Sequence, residues 1–244
     1  MATQTDLQER ALSERRFFGW MAFAVLATAF LGFSRTFYLR SLFPDHPAPT
    51  ESIFLVHGLA FTAWVLLLLA QTRFIAARRV DLHRKAGAFG VALATAMVVL
   101  GVWGALVGAR RATGFVGMPV PPLQFLLIPL TAISMFTLFC ALGIALRRNA
   151  QSHKRLMLLA SVQILGAAIA RLPVISGFGP PAFFGVQDLF LVALAIWDFR
   201  TRGKLHPVTL WGGIAMIAVQ PAQLVLSGTG TWVGIARWLT GLFG

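Results

Sequence analysis

Apolar positions in this chain run in long blocks rather than alternating. Seven blocks, residues 17–33, 53–71, 86–107, 123–146, 156–170, 183–197 and 207–226, carry no charge except Asp188. A membrane-spanning helix needs about 20 mostly apolar residues. The pattern therefore predicts an all-α bundle of seven transmembrane helices. The fifth block is short, and it reaches spanning length only if Arg171 faces the bundle interior or snorkels. The first block exceeds the apolar core of a signal peptide, about 7–15 residues, and Arg35 and Arg40 follow it, so it reads as a retained helix. Residues 1–16 then form a cytoplasmic tail, 17–226 the membrane domain and 227–244 an interfacial tail. In that tail Trp232, Ile235, Leu239, Leu242 and Phe243 share one helical face, as in an amphipathic helix lying on the outer surface.

Composition agrees. Hydrophobic residues make up 57% and charged residues 12%, where a soluble domain carries roughly 25% charged residues. The net charge of +13 is not one nucleic-acid patch, because the basic residues sit in short clusters between apolar blocks. Those clusters set orientation. Fifteen of the 21 Lys and Arg residues fall on the N-terminal side, and Arg35, Arg40, Arg110, Arg111, Arg171 and Arg237 fall on the other. The expected topology has the N-terminus in the cytoplasm and the C-terminus outside, in a bacterial inner membrane. The outer loops 112–122 and 176–185, rich in Gly, Pro and Phe, are too apolar for water and suit the interface or a partner subunit. Cys140 is the single cysteine, so an intrachain disulfide and a cysteine metal cluster are excluded.

Candidate chemistry gathers around histidine. His83, His153 and His206 each follow a basic turn and open an apolar block, at the cytoplasmic ends of the third, fifth and seventh spans. Those spans run the same way, so the side chains lie at one depth. Beneath His83, steps of four and three reach Gly87, Gly90, Ala94, Met97 and Gly101. That small-residue strip serves close helix packing or a slot for a flat group such as a porphyrin. His57 lies in the outer half of the second span, with Phe61, Trp64, Leu68 and Gln71 on its face. An ionisable group there points to the bundle interior. Arg171 is in helical register with His153 and is expected to pair with Asp188 near the start of the sixth span. Asp198 is placed to orient a cytoplasmic histidine, or else is a solvated charge among Arg200, Arg202 and Lys204.

The segment "HGLAFTAWVLLLLAQTRFIAARRVDLHRKAGAFG", with the later "HKRLMLLASVQILGAAIARLP", resembles a broad family of uncharacterised bacterial membrane proteins, known only as a predicted membrane protein domain of unknown function. His57, Gln71, His83, Arg84, Gly87, His153, Met157 and Arg171 carry the resemblance over residues 53–172. It implies a polytopic bundle and selects positions without naming a reaction. His206 lies beyond it.

Three functional expectations follow. A single b-type haem with His83 and His153 as axial ligands would make an electron-transfer bundle. A zinc hydrolase would need His83, His153 and His206 to converge. An accessory, assembly or transport protein would meet acidic lipid headgroups with its basic loops and a protein partner with its outer loops. A retinal Schiff base is excluded, since residues 207–226 contain no lysine, and the chain has no P-loop, dinucleotide fingerprint or nucleophile elbow.

Overall fold

The computed structural model describes residues 4–46, 48–115 and 120–242. In chain order these form α1 (Gln4–Phe33), a π-helical turn (Ser34–Tyr38), a 3-10 turn (Arg40–Leu42), α2 (Ser52–Ala76), α3 (Val80–Arg110), α4 (Pro122–Phe125), α5 (Leu127–Ala145), α6 (Ala150–Gln163), α7 (Gly166–Ile169), α8 (Pro180–Arg202), α9 (Pro207–Ser227) and α10 (Gly230–Gly241). Among the described residues six stretches are long and apolar enough to cross a membrane: Gln8–Tyr38, Ser52–Ala76, Val80–Arg110, Pro122–Ala145, Pro180–Arg202 and Pro207–Ser227. Large apolar side chains, among them Trp20, Phe23, Leu59, Leu66, Val99, Trp103, Leu189 and Trp211, point outward from these helices. They face the solvent that suits them, the acyl chains of a bilayer. The chain is a multi-span helical membrane protein.

Helix ends follow local chemistry. Pro122, Pro180 and Pro207 open their helices, where the missing N–H costs nothing. The Asn149 side chain caps α6 by accepting from the Gln151 and Ser152 amides. Gly203, at φ +70°, closes α8 in the left-handed conformation. The turn between α2 and α3 puts Arg78 at φ +59°, a conformation that costs a side-chain-bearing residue energy.

The fifth expected span departs from a continuous helix. α6 stops at Gln163, the ladder tightens as the Leu165 amide donates to the Val162 carbonyl at 3.0 Å, and α7 resumes at Gly166. Carbonyls freed at such a break are expensive in an apolar setting. Gln187 of α8 meets them, its Nε2 donating to Val162 at 2.9 Å and Gln163 at 3.2 Å. α6 tolerates its shortness because it is the axis of the bundle. Its residues from Leu158 to Gln163 are all buried, with α1, α5, α8 and α9 packed around it. Trp64 ties α2 to this axis, its indole N–H donating to Ser161 Oγ at 3.0 Å. At the far end of α1 the backbone of Gly32 lies against that of Ala168, so any Cβ at Gly32 would run into the Ala168 carbonyl.

Both tails differ from the sequence reading. α1 begins at Gln4 rather than at residue 17, so most of the expected tail is helix. Glu14 anchors it by an ion pair to Lys154 and by accepting from Gln151 Nε2 at 3.1 Å. In α10 the expected apolar face is split. Trp232, Ala236 and Leu239 pack against α3 and α4, with the Trp232 indole donating to the Leu123 carbonyl at 2.9 Å. Ile235 and Leu242 point away, and Phe243 lies outside the described residues, as do residues 116–119 of the first outer loop. In the loop after α7, Val174 (78%) and Phe178 (74%) are exposed.

Candidate functional site

One end of the bundle collects the basic turns. Contacts between Glu14 and Lys154, Arg155 and Asp198, and His83 and His153 bring the start of α1, the α2–α3 turn, the α5–α6 turn and the α8–α9 turn to a common level. Two polar clusters sit there.

The first is a histidine pair. His83 in the first turn of α3 and His153 in the first turn of α6 meet with ring centroids 6.2 Å apart and planes nearly perpendicular, at 87°. They are 70 residues apart in sequence and meet because α3 and α6 both pack on α5. His153 is held: its Nδ1–H donates to the Gly143 carbonyl of α5 at 2.8 Å, which leaves Nε2 free. His83 Nδ1 is buried with no hydrogen-bond partner, and so is Gln71 Oε1. The Gln71 amide lies beside Gly87, one helical turn from His83; a Cβ on Gly87 would be 3.7 Å from Gln71 Nε2. Two buried polar atoms of complementary capacity therefore stand unpaired near one another, where such atoms are normally satisfied.

The strip below His83 is filled by its neighbours. A Cβ on Gly90 would be 3.1 Å from Leu67, and one on Gly101 would be 2.9 Å from Ile133. Gly90 and Gly101 thus bring α3 close to α2 and α5, the packing role of small residues. Only the upper end, around Gly87, borders the histidines.

The second cluster was not anticipated. Arg155 and Asp198 are both 0% exposed and form a buried ion pair between α6 and α8. Asp198 also accepts from the Thr209 hydroxyl at 2.5 Å and the His206 amide at 3.0 Å. Arg155 donates further to the Gln151 carbonyl and side chain, at 3.0 and 2.7 Å. Asp198 is therefore neither a solvated charge nor an orienter of an imidazole; what it holds is the backbone that opens α9. Sequence reading counted Arg155 only as a topology charge. The available signal was its position inside α6, four residues from Gln151 and followed directly by an apolar run.

His206 belongs to this second cluster. Its Nδ1 accepts from the Val208 amide at 3.1 Å and so caps α9. Burial, then the charges of Arg155 and Arg202, hold its imidazole below the usual histidine range. It does not complete a three-histidine site. Among the described residues no group of three or more His, Cys, Asp or Glu side chains is spaced to hold a metal ion.

The remaining expected positions are dispersed. His57 packs beside Gly104, stacks on Phe61 at 4.0 Å and donates from Nδ1 to the Leu100 carbonyl at 3.3 Å. Gly104 is 21 residues along α3 from His83, roughly 30 Å at the helical rise. His57 is an interhelical link at the other end of the bundle, apart from the histidine pair. Arg84 is exposed on α3. Arg171 does not meet Asp188: it bonds the Ala167 carbonyl at 2.6 Å and lies over the Phe33 ring at 4.9 Å. Asp188 instead accepts from Gln220 Nε2 at 2.7 Å.

No family model, no curated protein and no solved structure matches the chain.

Proposed function

We propose that this protein binds a single b-type haem at the basic end of its bundle, with His83 and His153 as axial ligands, and serves in membrane electron transfer. The carrying observation is the converged pair with one imidazole already oriented. The two rings stand 6.2 Å apart between centroids, and these two side chains would hold the iron. A catalytic zinc needs three protein ligands, and the described residues bring together only these two histidines. A haem iron needs only two, since the macrocycle supplies the other four. When bound, haem supplies one-electron chemistry.

The protein's own residues supply orientation. The Gly143 carbonyl fixes the tautomer of His153, as outer-shell acceptors do. A His83 Nδ1–H turned to Gln71 Oε1 satisfies both unpaired atoms and leaves the second Nε2 free. Gly87 keeps the space beside them small-sided. On our reading the segment α6–α7 adds a seventh crossing, a reading supported by its run from the level of Glu14 and Asp198 to that of Gly32. The positive-inside bias supports the further reading that the histidine pair lies at the cytoplasmic face of a bacterial inner membrane, with the C-terminus outside.

The test is spectroscopic. Protein purified in mild detergent from haem-replete cells is expected to show a Soret band that shifts on dithionite reduction, with sharp α and β bands. His83→Ala and His153→Ala abolish the low-spin spectrum, while His57→Ala and His206→Asn retain it. Gln71→Leu weakens haem affinity by roughly 10–100-fold. Colourless protein from cells that fill a control cytochrome overturns the proposal and leaves the accessory or transport reading.

A further inference from the structure

A cleft of about 540 Å³ opens at the basic end between α1 and α8, away from the histidine pair. Arg10, Arg200 and Arg202 line it, together with Gln151, Glu14 and the edge of Trp197. The charges that face it do not cancel. Arg155, at its back, is neutralised by Asp198, and Glu14 by Lys154. Among the described side chains that leaves three arginines against Glu9, a net charge of about +2 by the simple count of ion pairs. Among the described residues none of the three arginines has an ion-pair partner. Trp197, the aromatic side chain of the lining, is stacked on Phe17 of α1 with centroids 4.4 Å apart and planes 7° from parallel. Arginine above tryptophan is the arrangement of the membrane–water boundary, where guanidinium meets headgroup phosphate and the ring meets the glycerol level.

We infer that this cleft is a binding site for the phosphodiester headgroup of an anionic phospholipid. Arg10 from one side and Arg200 and Arg202 from the other close on the phosphate, and the acyl chains run down the apolar seam between α1 and α8 past Phe17 and Trp197. A zwitterionic lipid offers the same phosphate but carries an amine into the same positive field. Basic pockets between transmembrane helices select anionic lipids on that ground.

The full chain is reconstituted in nanodiscs of phosphatidylcholine with or without phosphatidylglycerol, and retained lipid is read by native mass spectrometry. Wild type is expected to retain phosphatidylglycerol over phosphatidylcholine by roughly 10- to 100-fold, from the attraction of three arginines. Arg10→Gln/Arg200→Gln/Arg202→Gln brings the ratio to within about twofold of unity, and lysine at the three positions restores most of it. Arg147→Gln/Arg148→Gln, exposed charges on another turn of the same end, leaves the ratio unchanged. Equal retention of both lipids by wild type overturns the inference. So does an equal loss in the Arg147/Arg148 variant, which would mean diffuse attraction. Should the triple glutamine variant fail to fold, each single variant is expected to lower the ratio in part, and three unchanged singles overturn the site. Protein in lipid-free detergent is titrated with inorganic phosphate at millimolar level; stabilisation matching that from phosphatidylglycerol assigns the cleft to a soluble anion and overturns the lipid reading.

Discussion

Asp198→Asn changes one atom and tests the arrangement of the basic end. In the folded protein the Asp198 carboxylate faces Arg155, with both side chains at most 1% exposed. It also receives the Thr209 hydroxyl and the His206 amide. Asparagine keeps the shape and one acceptor oxygen, so steric cost is small. What is lost is the charge that compensates a buried guanidinium. Removing one partner of such a pair costs about 3–5 kcal/mol, because the other charge remains out of water. The Thr209 and His206 bonds both fall on Oδ2, so the asparagine oxygen placed there keeps both and turns its NH2 toward the Arg155 guanidinium, which loses Oδ1 as an acceptor. Removing both charges, as in Arg155→Met/Asp198→Leu, leaves no orphan charge, and its cost is that of the Thr209 hydroxyl and the His206 amide losing their acceptor, about 1–3 kcal/mol. The double variant is therefore expected to be more stable than Asp198→Asn. Refolding equilibria in mixed micelles, titrated with dodecyl sulfate and followed by circular dichroism, measure all three. If Asp198→Asn costs less than about 1 kcal/mol, or if the double variant is no better than the single, the pair is solvated or uncoupled and the reasoning fails.

Other consequences can be checked in the same assay. Gly32→Ala drives a methyl group into the Ala168 carbonyl and is expected to destabilise by about 1–3 kcal/mol; an unchanged midpoint would mean that α1 and α7 are farther apart. Arg78→Gly relieves a left-handed residue at φ +59° and is expected to stabilise by roughly 1 kcal/mol. His206 titrates below its ordinary value because of burial and then Arg155 and Arg202. Its neutral form is favoured by folding, so its contribution is intact above about pH 6.5 and declines as pH falls below that. His206→Asn keeps a capping acceptor and removes the titration, so wild type should lose more stability than the variant between pH 7.5 and 5.5; parallel curves would refute the assignment. Trp64→Phe deletes the donor to Ser161 and should cost about 1 kcal/mol, read as a lowered unfolding midpoint.

The class of this protein was written in its amino-acid sequence, because length and apolarity alone decide what a bilayer can accept. Among the described residues each of the six stretches that meet the length requirement overlaps a block read from the chain, two of them to within one residue at both ends, while the first begins nine residues before its block. Their helix ends were legible where a proline or a glycine enforces them. The short fifth block was legible as an anomaly, but not its cause. At the break near Gln163, Gln187 on another helix donates to the Val162 and Gln163 carbonyls, a partner that no local pattern announces.

The polar sites divide in the same way. Sequence placed His83, His153 and His206 at one depth, since helical rise and alternation of direction require it. Which of them converge was decided by lateral packing, which depends on side-chain shape across helices that are distant in sequence. Packing brought His83 to His153 and sent His206 to cap α9 beside Asp198. It filled the Gly90 and Gly101 end of the glycine strip with Leu67 and Ile133, and it buried Arg155 on the bundle axis. Hydropathy reads one residue against its solvent, whereas a buried ion pair or a histidine pair is a property of two residues and the space between them. The chain by itself therefore determined the membrane and the level of each charge, and the tertiary structure alone decided the partners.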